Sequence, residues 1–108
     1  MEFKYTYKFS ERATKDLEEI LRYIAEDLCN KSAAADLGRK IFENIDTIRA
    51  FPETGFALNN EWVSDKAVRR VVIDNYVLYY RANEANETIE IVRIVYGKMN
   101  LEEIYRCI

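Results

Sequence analysis

The side chains of this chain with the most chemical reach are arginines and tyrosines, because the sequence contains no histidine. That absence removes the commonest general base near neutral pH and the commonest metal ligand, and with them Ser-His-Asp, Cys-His and His-metal mechanisms. Cys29 and Cys107 lie far apart, with no Cys-x-x-Cys spacing and no partners for a zinc set. They read as reduced thiols, and neither a metal nor a cofactor is expected. Arg69 and Arg70 are neighbours on a β-type run, so they face opposite ways and cannot share a site. Arg70 is the functional candidate of the two, against the reading of an ordinary exposed strand arginine. Arg81 stands where a β-type run meets a polar turn, a place for a functional cation or a solvated one. Arg93 is sharper: it interrupts Ile91-Val92-Arg93-Ile94-Val95, and a lone arginine in an apolar strand must reach water, a carboxylate or a ligand. Tyr105 would act as an acid or base only if cations lowered a phenol pKa of about 10, and otherwise anchors the tail. Tyr76, Tyr79 and Tyr80 invite a base-stacking role, but alternation divides them between faces, and core packing is the expectation.

These residues have to be positioned by elements that the pattern makes legible. Phe3, Tyr5, Tyr7 and Phe9 alternate with polar residues, the pattern of a half-buried strand over 3–9. Ser10 offers an N-cap, and Ala13, Leu17, Ile20, Leu21, Ile24, Ala25 and Leu28 trace one face of a helix predicted over 11–28. Its other face carries Arg12, Lys15, Asp16, Glu18, Glu19, Arg22 and Glu26, read as solvated surface. A second helical register runs through Ala34, Leu37, Ile41, Ile45 and Ile48 and stops before Pro52. Two such helices joined by a few residues fold back as an antiparallel hairpin. Residues 51–55, Phe-Pro-Glu-Thr-Gly, read as a turn, and 56–66 have no clear period; Trp62 there would be a hydrophobic plug or a partner contact.

From Val68 onward the character is β. Runs 68–73, 76–82 and 88–96 are rich in Val, Ile and Tyr, with turns at 74–75 and 83–87, which predicts a three-stranded antiparallel meander. In the last run Ile89, Ile91 and Val95 are assigned to one face and Val92, Ile94 and Tyr96 to the other, so this strand is expected to be central. Gly97 breaks it, and 101–108 would form a short C-terminal helix or tail. The fold class is therefore α+β, with the helices covering one face of the sheet and the other left for water or a partner.

With 108 residues and 49% hydrophobic content, one domain over 1–108 is expected. No apolar run reaches the roughly 18 to 20 residues that span a bilayer, and the N-terminus alternates, so a cytoplasmic protein without membrane contact is expected. The net charge of −3 does not advertise a nucleic-acid binder. Its distribution is uneven, however. Residues 1–63 hold nine Lys/Arg against twelve Asp/Glu, whereas 64–108 hold seven of each.

Four strings, in this order, resemble the RelE/ParE superfamily of toxins, also called plasmid-stabilisation proteins. They are Ala13-Thr14-Lys15-Asp16-Leu17-Glu18-Glu19-Ile20 with Tyr23-Ile24-Ala25-Glu26; Phe51-Pro52-Glu53-Thr54-Gly55; Arg70 through Arg81; and Ile91-Val92-Arg93-Ile94-Val95-Tyr96-Gly97-Lys98. The resemblance implies the toxin of a type II toxin–antitoxin module, which halts growth unless a cognate antitoxin wraps it. Two modes of action follow from it. A RelE-like toxin cleaves ribosome-bound mRNA, which needs a base at the ribose 2′-OH, cations at the phosphate and an acid for the leaving oxygen. Arg70 matches one strand lysine of that pattern and Tyr105 its C-terminal tyrosine. Val68, Val77 and Met99 stand where the pattern has basic residues, and Arg81, Arg93 and Lys98 are the neighbouring cations that would have to compensate. A ParE-like toxin binds DNA gyrase without catalysis. The long hairpin, the Phe-Pro-x-x-Gly link and the incomplete catalytic set tilt the resemblance toward this branch, and a degenerate member that only binds its antitoxin is the third reading. In either active mode the antitoxin is expected to dock on apolar surface near the first helix and the open sheet edge.

Overall fold

The computed structural model describes residues 3–58 and 67–98. Strand β1 (Thr6–Phe9) leads into helix α1 (Glu11–Arg22), a π-helical turn (Tyr23–Asp27) and helix α2 (Lys31–Ala50). A two-residue strand β2 (Phe56–Ala57) precedes β3 (Val68–Ile73), β4 (Tyr76–Asn83) and β5 (Thr88–Tyr96). The α+β class is as expected, and the meander β3–β4–β5 is antiparallel. The sheet as a whole is mixed, in the order β1-β5-β4-β3-β2, because β1 pairs parallel to β5. β5 is thus an interior strand, although β4 is the middle one.

The helices start where the side chains dictate. Ser10 Oγ accepts the Ala13 amide at 3.0 Å, and Asn30 Oδ1 accepts the Ala33 amide at 3.0 Å, each satisfying a donor that has no intrahelical partner. Asn30 therefore opens the second helix at Lys31, ahead of the first apolar position at Ala34. Ala34, Leu37, Ile41, Ile45 and Ile48 are all buried against the sheet. Each of the larger four contributes about 1.5–3 kcal/mol of burial. The first helix departs from its expected course. Over Tyr23–Asp27 the ladder widens, with Leu28 N–H donating to Tyr23 O at 3.0 Å and Asn30 N–H to Ile24 O at 3.1 Å. The wider turn breaks the 3.6-residue register, so Ile24 stays buried while Leu28, expected on the apolar face, is 55% exposed.

Tyr80 explains the Phe51–Gly55 link. Its hydroxyl donates to Pro52 O at 2.7 Å and accepts the Gly55 amide at 2.9 Å, and Arg69 Nη1 donates to Gly55 O at 2.8 Å. A Cβ on Gly55 would lie 2.7 Å from the Arg70 carbonyl oxygen and 2.9 Å from Tyr80, so only glycine fits this approach. Burial pushes the Tyr80 phenol up, against the opposing pull of the Gly55 amide and Arg69.

β5 carries a bulge. Tyr79 faces Arg93 but Tyr80 faces Ile91, leaving Val92 as the extra residue. Strict alternation fails there: Ile89, Ile91 and Ile94 all join the core beneath the helices, whereas Val92 and Val95 belong to a cluster with Leu58, Val68, Val77 and Tyr79. The face away from the helices is therefore not left bare, as the pattern suggested, but has a small apolar core of its own. Tyr79 and Tyr80 are both fully buried, one in each cluster.

Candidate functional site

The sheet register brings three of the candidate arginines near one another. Arg70 on β3 pairs with Tyr79 on β4, which pairs with Arg93 on β5; Arg81 lies two residues further along β4, opposite Glu90. The side chains then part. Arg93 is 6% exposed and is held by Asp16 of α1, with Nε to Oδ2 at 2.8 Å and Nη2 to Oδ1 at 3.3 Å. Asp16 also accepts the Ile94 amide at 3.1 Å and pairs with Arg12 Nε at 3.5 Å. One carboxylate thus fixes α1 to the part of β5 that lies beyond the bulge, where β1 has left the sheet. Of the three destinations open to a lone strand arginine, Arg93 takes the carboxylate.

Arg81 Nε donates to Glu90 Oε1 at 2.7 Å, and Lys8 Nζ lies 3.5 Å from the other oxygen of the same carboxylate. The hydrogen bond from Arg81, against a smaller opposing effect of burial, holds Glu90 below the usual glutamate range, aided by the charges of Arg81 and Lys8. Arg70 and Lys98 line one shallow recess of about 310 Å³ with Val72, Asp74, Asn75 and Tyr96. Tyr105 lies outside the described residues, as do Cys107, Trp62, Met99 and the C-terminal segment. The structure therefore brings Arg70 and Lys98 together, gives Arg81 a surface carboxylate and withdraws Arg93 into a buried pair.

Asp16 was read from the sequence as part of a solvated face. The signal against that reading is its position three residues after buried Ala13 and four before half-buried Ile20, on the border of the apolar stripe. Glu90 had no sequence signal beyond lying opposite Arg81 across a hairpin. An adjoining groove of about 640 Å³, which shares Asn75, Tyr76 and Tyr96 with the Arg70–Lys98 recess, runs between the end of the first helix and the turn joining β3 to β4. Tyr23 (50% exposed), Leu28 and Tyr96 (42%) stand around it, and Tyr76 packs edge-on to Tyr96 at 5.8 Å. Burial, with the neighbouring Tyr96 and Tyr23 phenols, pushes the Tyr76 phenol up. Apolar surface is thus present near the first helix, as expected of a docking face, and at the sheet edge, where Val72 is 63% and Phe56 75% exposed.

Among the described residues no group of Cys, Asp and Glu is arranged to hold a metal ion, and no helix is long and apolar enough to cross a membrane. The fold is shared by solved toxin structures. The chromosomal ParDE system of P. aeruginosa superposes with a TM-score of 0.68 at 18% identity, covering 88% of this chain and 98% of that one. The RelBE2 toxin–antitoxin complex of Mycobacterium tuberculosis gives 0.60 at 21% identity, over 86% of this chain and 98% of that one. The archaeal RelE–RelB complex of Pyrococcus horikoshii gives 0.60 at 18% identity, over 90% and 99%. No curated protein sequence matches the chain. Residues 7–101 match the family described as the ParE toxin of the type II toxin–antitoxin system parDE. That match runs from β1 past the Arg70–Lys98 recess, so the hairpin, the clamped link and the arginine-bearing sheet all fall within it, and the chain belongs to the ParE toxin family of type II toxin–antitoxin systems.

Proposed function

We propose that this toxin acts by binding, as a ParE-like inhibitor of DNA gyrase in the cytoplasm, and that a cognate antitoxin neutralises it. The observation that carries this reading is the disposal of the strand arginines. Cleavage of a phosphodiester requires cations free to meet charge that builds on the phosphate, in one place with a base and an acid. Arg93 is committed to Asp16 inside the protein, and Arg81 is bound to Glu90. A binding protein has no need for those cations to converge. The antitoxin would cover the groove beside Tyr23, Leu28 and Tyr96, where large apolar side chains stand exposed and Ile20, Ile94 and Val95 share the lining with Arg12, Glu19 and Arg93.

The RelE-like ribonuclease reading has one observation in its favour, the recess that Arg70 shares with Lys98. The two readings separate in a paired assay. Purified toxin is added to gyrase supercoiling reactions and to translating ribosomes programmed with a defined mRNA, with Arg70→Ala alongside. Loss of supercoiling with intact mRNA is the expected result. Ribosome-dependent cleavage that Arg70→Ala abolishes would overturn the gyrase reading, and no effect in either assay would mark a member that only binds its antitoxin.

A further inference from the structure

The place where β1 ends, α1 begins and β5 bulges is basic, although the chain as a whole is acidic. Two adjoining recesses meet at Ser10 and Val92. One is lined by Lys8, Ser10, Arg81 and Glu90 among others, and its neighbour by Ser10, Arg12, Val92 and Arg93. Four cations, Lys8, Arg12, Arg81 and Arg93, and three carboxylates, Glu90, Asp16 and the exposed Glu11 that opens α1, therefore stand at this junction, a local balance of +1 in a chain of net −3. The two outermost cations reach furthest into water: the side chains of Lys8 and Arg12 are 62% and 63% exposed. Among the described residues each is held by a long contact of 3.5 Å to its carboxylate, whereas Arg81 and Arg93 hold theirs at 2.7 and 2.8 Å. Ser10 is also the N-cap of α1, so the positive end of that helix dipole is directed at the junction.

We propose that this junction is a binding site for the phosphodiester backbone of nucleic acid, in which Lys8 and Arg12 contact successive phosphates. The close pairs of Arg81 with Glu90 and Arg93 with Asp16 form its fixed floor, and the loosely held pair swings outward to the ligand. Lys8 and Arg12 lie on opposite sides of Ser10, one at the end of a strand and the other in the first turn of a helix. The site reads charge and spacing but no bases, so its affinity falls steeply with salt. It lies apart from the Arg70–Lys98 recess and does not depend on which molecule the toxin inhibits.

The test is fluorescence anisotropy with end-labelled oligonucleotides and no gyrase or ribosome present. A duplex DNA and a single-stranded RNA of matched length form the two arms, titrated across a range of low salt concentrations. Salt-sensitive binding is expected in at least one arm, and the arm that binds identifies the natural source of the phosphates. The double change Lys8→Ala with Arg12→Ala is expected to weaken binding about tenfold or more and to lower the salt slope by about two, one per lost phosphate contact. Glu90→Gln, which removes the competing carboxylate, should tighten it severalfold. Arg39→Ala, a surface cation paired with Glu43 on α2, serves as the control and should leave it unchanged. Circular dichroism verifies that each variant is folded. Absence of binding in both arms, or binding that the double change leaves intact, overturns the proposal, while the supercoiling assay judges the gyrase reading separately.

Discussion

Asp16 and Glu90 are the same device in two settings. Each carboxylate is held by one arginine at under 3 Å and a second cation at 3.5 Å, and each ties β5 to another element. Asp16 and Arg93 are 6% and 7% exposed by side chain, and the carboxylate also takes the Ile94 amide; Glu90 and Arg81 are 17% and 43% exposed. Burial decides what the device does. In the dry position, neither charge can be rehydrated if its partner is lost, so the pair fixes the structure and Arg93 is withheld from any ligand. In the wet position, water takes over from a lost partner at little cost, so the pair adds little to stability and the loosely held Lys8 beside it remains usable.

The strongest way to break this contrast is Asp16→Ala. It leaves a buried guanidinium and a β5 amide without acceptors, and we expect a loss of about 3–5 kcal/mol in urea unfolding. Glu90→Gln should cost about 1 kcal/mol or less in the same measurement, because Arg81 and Lys8 have water to turn to. Near-equal losses for the two variants would show that burial does not separate the sites. The smallest effect is a pH dependence. Glu90 is held below its ordinary pKa in the folded protein, so its contribution is present above the unfolded value of about 4.3 and disappears as pH falls through the lowered folded value. Thermal melts of wild type and Glu90→Gln should therefore converge in acid, with their difference confined to pH values above that window. A difference that grew on acidification would reverse the sign and remove Glu90 from the account.

The Gly55 link shows how far a motif can be understood from sequence. Phe-Pro-x-x-Gly marked a turn, and Pro52 ended α2 where its chemistry required. That Tyr80 grips both Pro52 O and the Gly55 amide came from 25 and more residues away, and a two-residue strand such as β2 is too short to show a period. The candidate site was legible in its residue types but not in its partners. Arg93 was marked as needing a partner, yet Asp16, 77 residues earlier, looked like one more charge on a solvated helix.

The sequence by itself determined the order of the main elements, the Ser10 cap of α1 and the apolar stripe of α2, because periodicity and capping act between residues a few positions apart. It also determined that no histidine chemistry is possible. The tertiary structure decided the parallel pairing of β1 with β5, the π turn that exposes Leu28 and the Val92 bulge that reverses the faces of β5. It alone decided which arginine is spent in the interior and which remain at the surface. Those outcomes depend on contacts between distant segments, where a single residue of register changes which face a side chain occupies.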